Sequence, residues 1–279
     1  MPLDLIAFDL DGTILNSRHK ISEKNYSVLR IAHKQGIKLI PCTGRAIFEF
    51  PNELNQLVDE FDYLVFPYLI TSNGAQVFDF PQKKLLYSRS IPKEEALSIL
   101  INNRKQLILN YGSFGIQGAT DNQGHVWESE KAKSHIKKYK EEWDIPLANL
   151  EDLIEWNEGL IKFSLNFIFE DDLKKCYDEY SKWPSLTLSS SWPLNIEIMS
   201  SGVSKGEALN FVSGQMNIPM ERIMAIGDNL NDMEMIQQSG FGVAMGNAIP
   251  ELKEKALWIT ASNDEDGFAL AVEKMLAEL

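Results

Sequence analysis

Two apolar runs in this chain each stop at a cluster of aspartates, and that pattern narrows the folds open to it. Leu3 to Phe8 is followed by Asp9-Leu10-Asp11-Gly12-Thr13, and Met224-Ala225-Ile226 by Gly227-Asp228-Asn229-Leu230-Asn231-Asp232. Short runs as apolar as these, with Asp4 the one polar residue in them, fit strands buried on both faces, as in a parallel sheet. After the first cluster, Ser22 to Gln35 reads as a helix with Ser22 as its cap and Gly36 as its stop. Ile37 to Pro41 reads as a second strand, and Thr43-Gly44-Arg45 opens another helical stretch. Strand, helix, strand, helix is the order of a parallel sheet covered by helices.

Tyr63 to Thr71 is a further expected strand, ending at the turn Ser72-Asn73-Gly74, and Gln76 to Tyr87 reads as a hairpin. From about Ile91 to Pro193 the alternation breaks down. A helix is expected after Pro92, strands near Gln106 to Thr120 and His125 to Glu128, and a Lys-rich helix around Lys131 to Trp143. Leu160 to Phe169, a helix from Asp171 to Trp183 and a strand from Leu186 to Ser190 follow, an order that suggests an α+β module. Alternation resumes with Ile196 to Met199, Lys205 to Gln215, Ile223 to Ile226 and Met233 to Ser239. The expected class is therefore α/β, a Rossmann-like doubly wound parallel sheet formed by 1–85 and 194–279, with an α+β domain, 86–193, inserted into it. A chain of 279 residues accommodates two such domains.

Lys and Arg number 27 against 40 Asp and Glu, a net charge of −13 that argues against nucleic acid and anionic membranes as partners. A small anionic substrate is still compatible, because charges more than about 8 Å apart are screened at physiological salt. No apolar run reaches the roughly 20 residues that span a bilayer, and Asp4 interrupts the first apolar residues, so a cytoplasmic protein is expected. Cys42 and Cys176 are expected to be reduced structural thiols.

Aspartate is a known acceptor of phosphoryl groups, which turns the reading of Asp9 and Asp11 toward phosphate chemistry. As a calcium loop the segment fails, since Ile14 and Lys20 fall where Gly and Glu are needed. With the second cluster, two strand ends can share one hard cation, and Mg²⁺ with retained waters suits an oxygen-only ligand set. Thr43-Gly44 offers a hydroxyl and backbone N–H groups at a helix start, and Lys205 offers a point charge toward a phosphoryl oxygen. Gly202-Val203-Ser204-Lys205-Gly206 also matches the elbow of serine hydrolases, but His19, His33, His125 and His135 all precede Ser204, contrary to the order of that fold. Gly240 to Gly246 has one residue too many for a dinucleotide fingerprint and reads as a turn around an apolar strand.

Asp9 to Thr13, Thr43-Gly44-Arg45, Ser72-Asn73-Gly74-Ala75, Lys205-Gly206 and Gly227 to Asp232, with Ser262 to Gly267 near the end, together resemble the haloacid dehalogenase (HAD) superfamily. The resemblance is to its Cof-type phosphatase branch, whose α+β cap is of the C2B type. It implies that Asp9 is the nucleophile and Asp11 the general acid and base. It further implies that Mg²⁺ is held by Asp9, Asp228 and the Asp11 carbonyl, and the phosphoryl group by Leu10, Thr43, Gly44, Lys205 and Asn231. Asp232 is either a further metal-shell acid or a second-shell partner, Asn73 is a candidate substrate contact, and Arg45 either reaches the leaving group or pairs with an acid elsewhere. Cap aromatics such as Trp127, Trp156, Trp183 and Trp192 either stack on substrate or fill the core. The implied activity is hydrolysis of small phosphomonoesters, such as sugar phosphates or phosphorylated cofactors, through an aspartyl-phosphate. Phosphomutase or phosphotransferase activity, or a non-catalytic sensor of a phosphorylated metabolite, are the alternatives, and oligomeric state is not legible.

Overall fold

The first apolar run forms a strand, Leu5–Phe8, in which every residue is buried, and the run before the second acidic cluster does the same over Ile223–Gly227. A computed structural model of the chain describes residues 3–45, 65–99, 102, 116–121, 126–128, 160–167, 169–190 and 194–278. In chain order the strands are β1 Leu5–Phe8, β2 Lys38–Pro41, β3 Tyr68–Thr71, β4 Gln76–Asp79, β5 Lys84–Ser88, β6 Ile116–Asp121 and β7 Val126–Glu128. They continue with β8 Leu160–Asn166, β9 Leu186–Ser189, β10 Asn195–Ser200, β11 Ile223–Gly227, β12 Phe241–Ala244 and β13 Trp258–Ile259. The helices are α1 Glu23–Lys34, α2 over 93–99, α3 Glu170–Tyr180, α4 Lys205–Met216, α5 Met233–Gln238, α6 Pro250–Lys253 and α7 Gly267–Ala277. None of them is long and apolar enough to cross a membrane.

The chain divides into two compact units, one of Met1–Arg45, Phe50–Leu86 and Ser204–Leu279, the other of Ala46–Glu49 and Tyr87–Val203. The first unit holds a parallel sheet of order β13-β12-β11-β1-β2. The interior strand β1 is bordered on both sides, by β11 and β2, which explains its unbroken apolar sequence. Phe8 lies beside Ile226 and Pro41, so β1, β2 and β11 finish at one level. Phe8 is fully buried and meets the Phe268 ring edge-on at 5.3 Å. Each large apolar side chain buried in this way contributes about 1.5–3 kcal/mol. Ser22 caps α1 by accepting from the Asn25 N–H at 3.1 Å, and Gly36 follows the helix at φ 84°, where a side chain would be strained.

The second unit holds the sheet β7-β6-β8-β10-β9, built from antiparallel pairs. Phe163 opposite Ile198 and Leu165 opposite Ile196 put one apolar face into a core with Ile91, Ile99 of α2 and Tyr180 of α3. Period-two alternation turns Lys162, Ser164 and Glu197 to the other face. The unit is the expected α+β insertion. Its limit is not the expected one: β10 pairs with β8 and β9 instead of resuming the parallel sheet, so the unit runs to Val203 where 193 was expected. All six residues of β10 are buried, the polar Asn195, Glu197 and Ser200 included, and so short a strand carries no sign of which sheet it joins. Tyr63 to Thr71 was likewise read too long, since the described strand begins at Tyr68. The helical stretch after Arg45, most of Gln106 to Thr120, the helix Lys131 to Trp143, Trp156 and Trp192 lie outside the described residues, and nothing is described of the Trp127 side chain. Trp183 packs edge-on against Tyr180, with ring centroids 5.3 Å apart, and so belongs to the core of its unit.

Candidate active site

Backbone hydrogen bonds carry the strand register into the loops beyond the sheet edge. Asp9 N–H donates to the Ile226 carbonyl, Cys42 N–H to Phe8 and Thr43 N–H to Ile70, at 2.8–3.0 Å. Asp9, Thr43 and the loop after β11 thereby meet at one edge, outside the carboxyl ends of the strands, the usual place for a ligand in such a sheet. Ser204 caps α4 by accepting from the Glu207 N–H, which leaves Lys205 in the first helical turn.

Lys205 has no exposed surface, and its Nζ lies 2.6 Å from Asp9 Oδ1 and 2.6 Å from Asp232 Oδ1. An unpaired ammonium buried at a helix N-terminus would be doubly unfavourable, by desolvation and by the helix dipole. Burial does oppose the Lys205 charge, but Asp232 and Asp9 outweigh it and hold the pKa above its ordinary value. The other oxygen of Asp232, Oδ2, accepts from the backbone N–H groups of Asp228 and Asn229 at 2.9 and 3.1 Å. It thereby braces Lys205 and its own loop.

One carboxylate oxygen from each of Asp9, Asp228 and Asp232 lies within 4.8 Å of the others. Burial first, then Asp232, pushes Asp228 up from 3.8 to about 7, although a 3.0 Å hydrogen bond from Thr13 Oγ1 to its Oδ1 works the other way. Burial also raises Asp9 well above its ordinary value, with the surrounding carboxylates adding to the effect and Lys205 opposing it. Among the described residues neither Asp9 Oδ2 nor Asp228 Oδ2 receives a hydrogen bond. Crowded acids with unfilled oxygens, and with no His or Cys grouped with them among the described residues, suit a hard divalent cation such as Mg²⁺. Gly12 stands at φ 76°, and a Cβ there would run into the Asp228 carboxylate, so glycine is required at this close approach.

The Asp11 carboxylate stands apart from that cluster. Arg45 grips it with Nε 2.7 Å from Oδ2 and Nη2 2.5 Å from Oδ1, and His19 Nδ1 is 3.7 Å from Oδ1. Of the two roles open to Arg45 from sequence, the structure displays the pairing with an acid. Thr43 is buried and its Oγ1 accepts from the Arg45 N–H at 3.0 Å, while Gly44 gives room to Asn73, whose Oδ1 a Cβ would meet at 2.8 Å. Asn73 Oδ1 in turn accepts from Asn231 Nδ2 at 3.0 Å, and Asn231 Oδ1 is buried with no partner among the described residues. Leu10 is buried, and its carbonyl accepts from the N–H groups of Thr13 and Leu15.

Three residues of this arrangement had not been singled out from sequence. Thr13 was legible only as part of the first motif, and its spacing from Asp228 gives no hint of contact. His19 reaches Asp11 because the loop from Leu15 to Ile21 folds back on itself with His19 at φ 54°. Asn247 donates to the Gly12 carbonyl at 2.8 Å across 235 positions, a contact without a local signal.

A family model described as haloacid dehalogenase-like hydrolase matches residues 6–272. The chain belongs to the haloacid dehalogenase-like hydrolases. Phosphatase YwpJ of Bacillus subtilis is 32% identical to this HAD-like chain over 98% of it and 100% of the relative. Another relative from Bacillus subtilis, 5-amino-6-(5-phospho-D-ribitylamino)uracil phosphatase YcsE, is 31% identical over 97% of the chain and 94% of its own length. Among solved structures, a HAD subclass IIB sugar phosphatase superposes with a TM-score of 0.77 at 25% identity, covering 98% of both chains. This HAD-like hydrolase is a phosphatase of the branch with an α+β insertion.

Proposed function

We propose that the chain hydrolyses small phosphomonoesters of sugar or polyol type through a phosphorylated Asp9, with Mg²⁺ as cofactor. The observation that carries this reading is the Lys205 ammonium at 2.6 Å from both Asp9 and Asp232, next to three carboxylate oxygens within 4.8 Å of one another. A nucleophilic carboxylate must be ionised and aimed: Lys205 aims Asp9 and favours its ionised form, and a bound cation would favour it further. Asp9, Asp228 and the Asp11 carbonyl would hold the cation, which when bound offsets the charge of the acids and of the phosphoryl oxygens.

The Asp9 carboxylate attacks phosphorus, and the bond from phosphorus to the leaving oxygen breaks as Asp11 gives that oxygen a proton. Water then attacks the phosphorylated Asp9, passes a proton to Asp11 and releases phosphate with Asp9 restored. Thr43, Gly44, Asn231 and the Leu10 N–H orient the phosphoryl oxygens, so that positioning supplies much of the rate. Choice of leaving group is assigned to the inserted unit, expected at 86–193 and extending to Val203 in the fold. Asn73, hydrogen-bonded to Asn231, is assigned to holding that amide in place. The sugar or polyol class is supported by the ribityl phosphate in the name of one relative and by the sugar phosphatase among the structural neighbours.

The test is phosphate release by the purified chain with Mg²⁺ over a panel of phosphorylated sugars, polyols and cofactors, beside Asp9→Asn and a metal-stripped sample. Activity with sugar or polyol phosphates that is lost in Asp9→Asn and in EDTA is the expected result. Full turnover by Asp9→Asn, or transfer to an added hydroxyl compound with no free phosphate, would overturn it.

A further inference from the structure

Asp11 is held by a residue to which the reaction so far gives no task. Both Asp11 oxygens accept from Arg45, Oδ2 from Nε at 2.7 Å and Oδ1 from Nη2 at 2.5 Å. Two parallel bonds from a planar fork fix a carboxylate in rotation as well as in distance, which a single ammonium does not do. The fork is itself fixed, because the Arg45 N–H donates to Thr43 Oγ1 and the Arg45 carbonyl accepts from the Ser72 N–H, both near 3.0 Å. The Asp11 side chain is about a third exposed, so packing alone does not hold it in one rotamer. Among the described residues the other charged neighbours are His19 at 3.7 Å, itself largely exposed, and the aspartates of the cluster, which repel it.

We infer that Arg45 is the positioning residue for Asp11: its fork sets the plane of the carboxyl so that an oxygen site not used by Arg45, the one that carries the proton, faces the leaving oxygen. A carboxylate offers about four lone-pair sites, and the fork takes two. This rests on the proposal that Asp11 is the general acid. An acid misplaced by about 1 Å costs on the order of 100-fold, and general acid catalysis contributes about 10²–10⁴-fold. Loss of the fork should therefore be felt in proportion to how much the leaving group needs its proton.

The experiment is kcat/KM of the full chain with Mg²⁺ on substituted phenyl phosphates, from 2,4-dinitrophenyl, whose phenol leaves unprotonated, to unsubstituted phenyl. Wild type is compared with Arg45→Met, Arg45→Lys and Asp11→Ala. The expected result for Arg45→Met is a loss of about 10- to 100-fold on phenyl phosphate that shrinks toward the dinitrophenyl ester, as in Asp11→Ala, with Arg45→Lys between. A uniform loss across the series in Arg45→Met, beside a graded loss in Asp11→Ala, would overturn the inference alone and mark Arg45 as a substrate-binding or structural residue. Wild-type behaviour in Arg45→Lys would also overturn it, since charge without the fork would then suffice. A uniform loss in Asp11→Ala would remove the acid role of Asp11, and with it the basis of the inference.

Discussion

Lys205 is the residue whose burial most sharply divides competing readings, because a lysine in a first helical turn is ordinarily solvated. Here the ammonium is enclosed between Asp9 and Asp232, and removing it would leave two buried carboxylates without their cation. Lys205→Met should destabilise the metal-free protein by about 3–5 kcal/mol, the usual cost of breaking a buried pair from one side, measured by urea unfolding. Asp9→Asn keeps an oxygen for Lys205 and should fold normally, while turnover falls by about 10⁴-fold or more, as read by phosphate release. At Gly12, Ala meets both a φ of 76° and the Asp228 carboxylate, so Gly12→Ala should lower activity together with about 1–3 kcal/mol of stability.

At the scale of elements, the site is assembled by strand ends, and the elements around it are tied together by a few buried polar groups. Asn25, in α1, donates to the Ile14 carbonyl at 3.1 Å and accepts from the Ala269 N–H of α7 at 3.1 Å. Asn25→Ala strands both backbone groups, and a loss of about 1–3 kcal/mol in thermal or urea unfolding is expected, with kcat little changed. Most element types were legible: Ser22 as a cap, the apolar strands at Leu5, Lys38 and Ile223, and the hairpin after Gly74 all follow from local chemistry. The misreading fell on β10, whose short sequence from Asn195 to Ser200 fits either sheet. Pairing partners are nonlocal, and periodicity does not encode them.

At the scale of the whole molecule, charge balance at the sheet edge couples stability to pH and to the cation. Asp228 is pushed up from 3.8 to about 7 and Asp9 is raised in the same direction, so the folded, metal-free state holds protons that the unfolded state has released. For Asp228 the resulting stabilisation is complete below the unfolded value near 3.8, declines as pH rises, and is gone above about 7. A bound divalent cation compensates the same charges, so the rise in melting temperature from Mg²⁺ over EDTA should be larger at pH 8 than at pH 5.5; equal shifts at both values would contradict this. The sequence by itself determined the α/β class, the α+β insertion and the grouping of Asp9, Thr43, Lys205 and Asp228 at one edge, because apolar strands, caps and acidic turns are local signals. Only the tertiary structure decided that Asp232 braces Lys205, that Arg45 grips Asp11, that Thr13 meets Asp228 across 215 positions, and that β10 joins the inserted unit. Those outcomes depend on which side chains distant stretches of chain bring within hydrogen-bond reach, and that distance is set by packing.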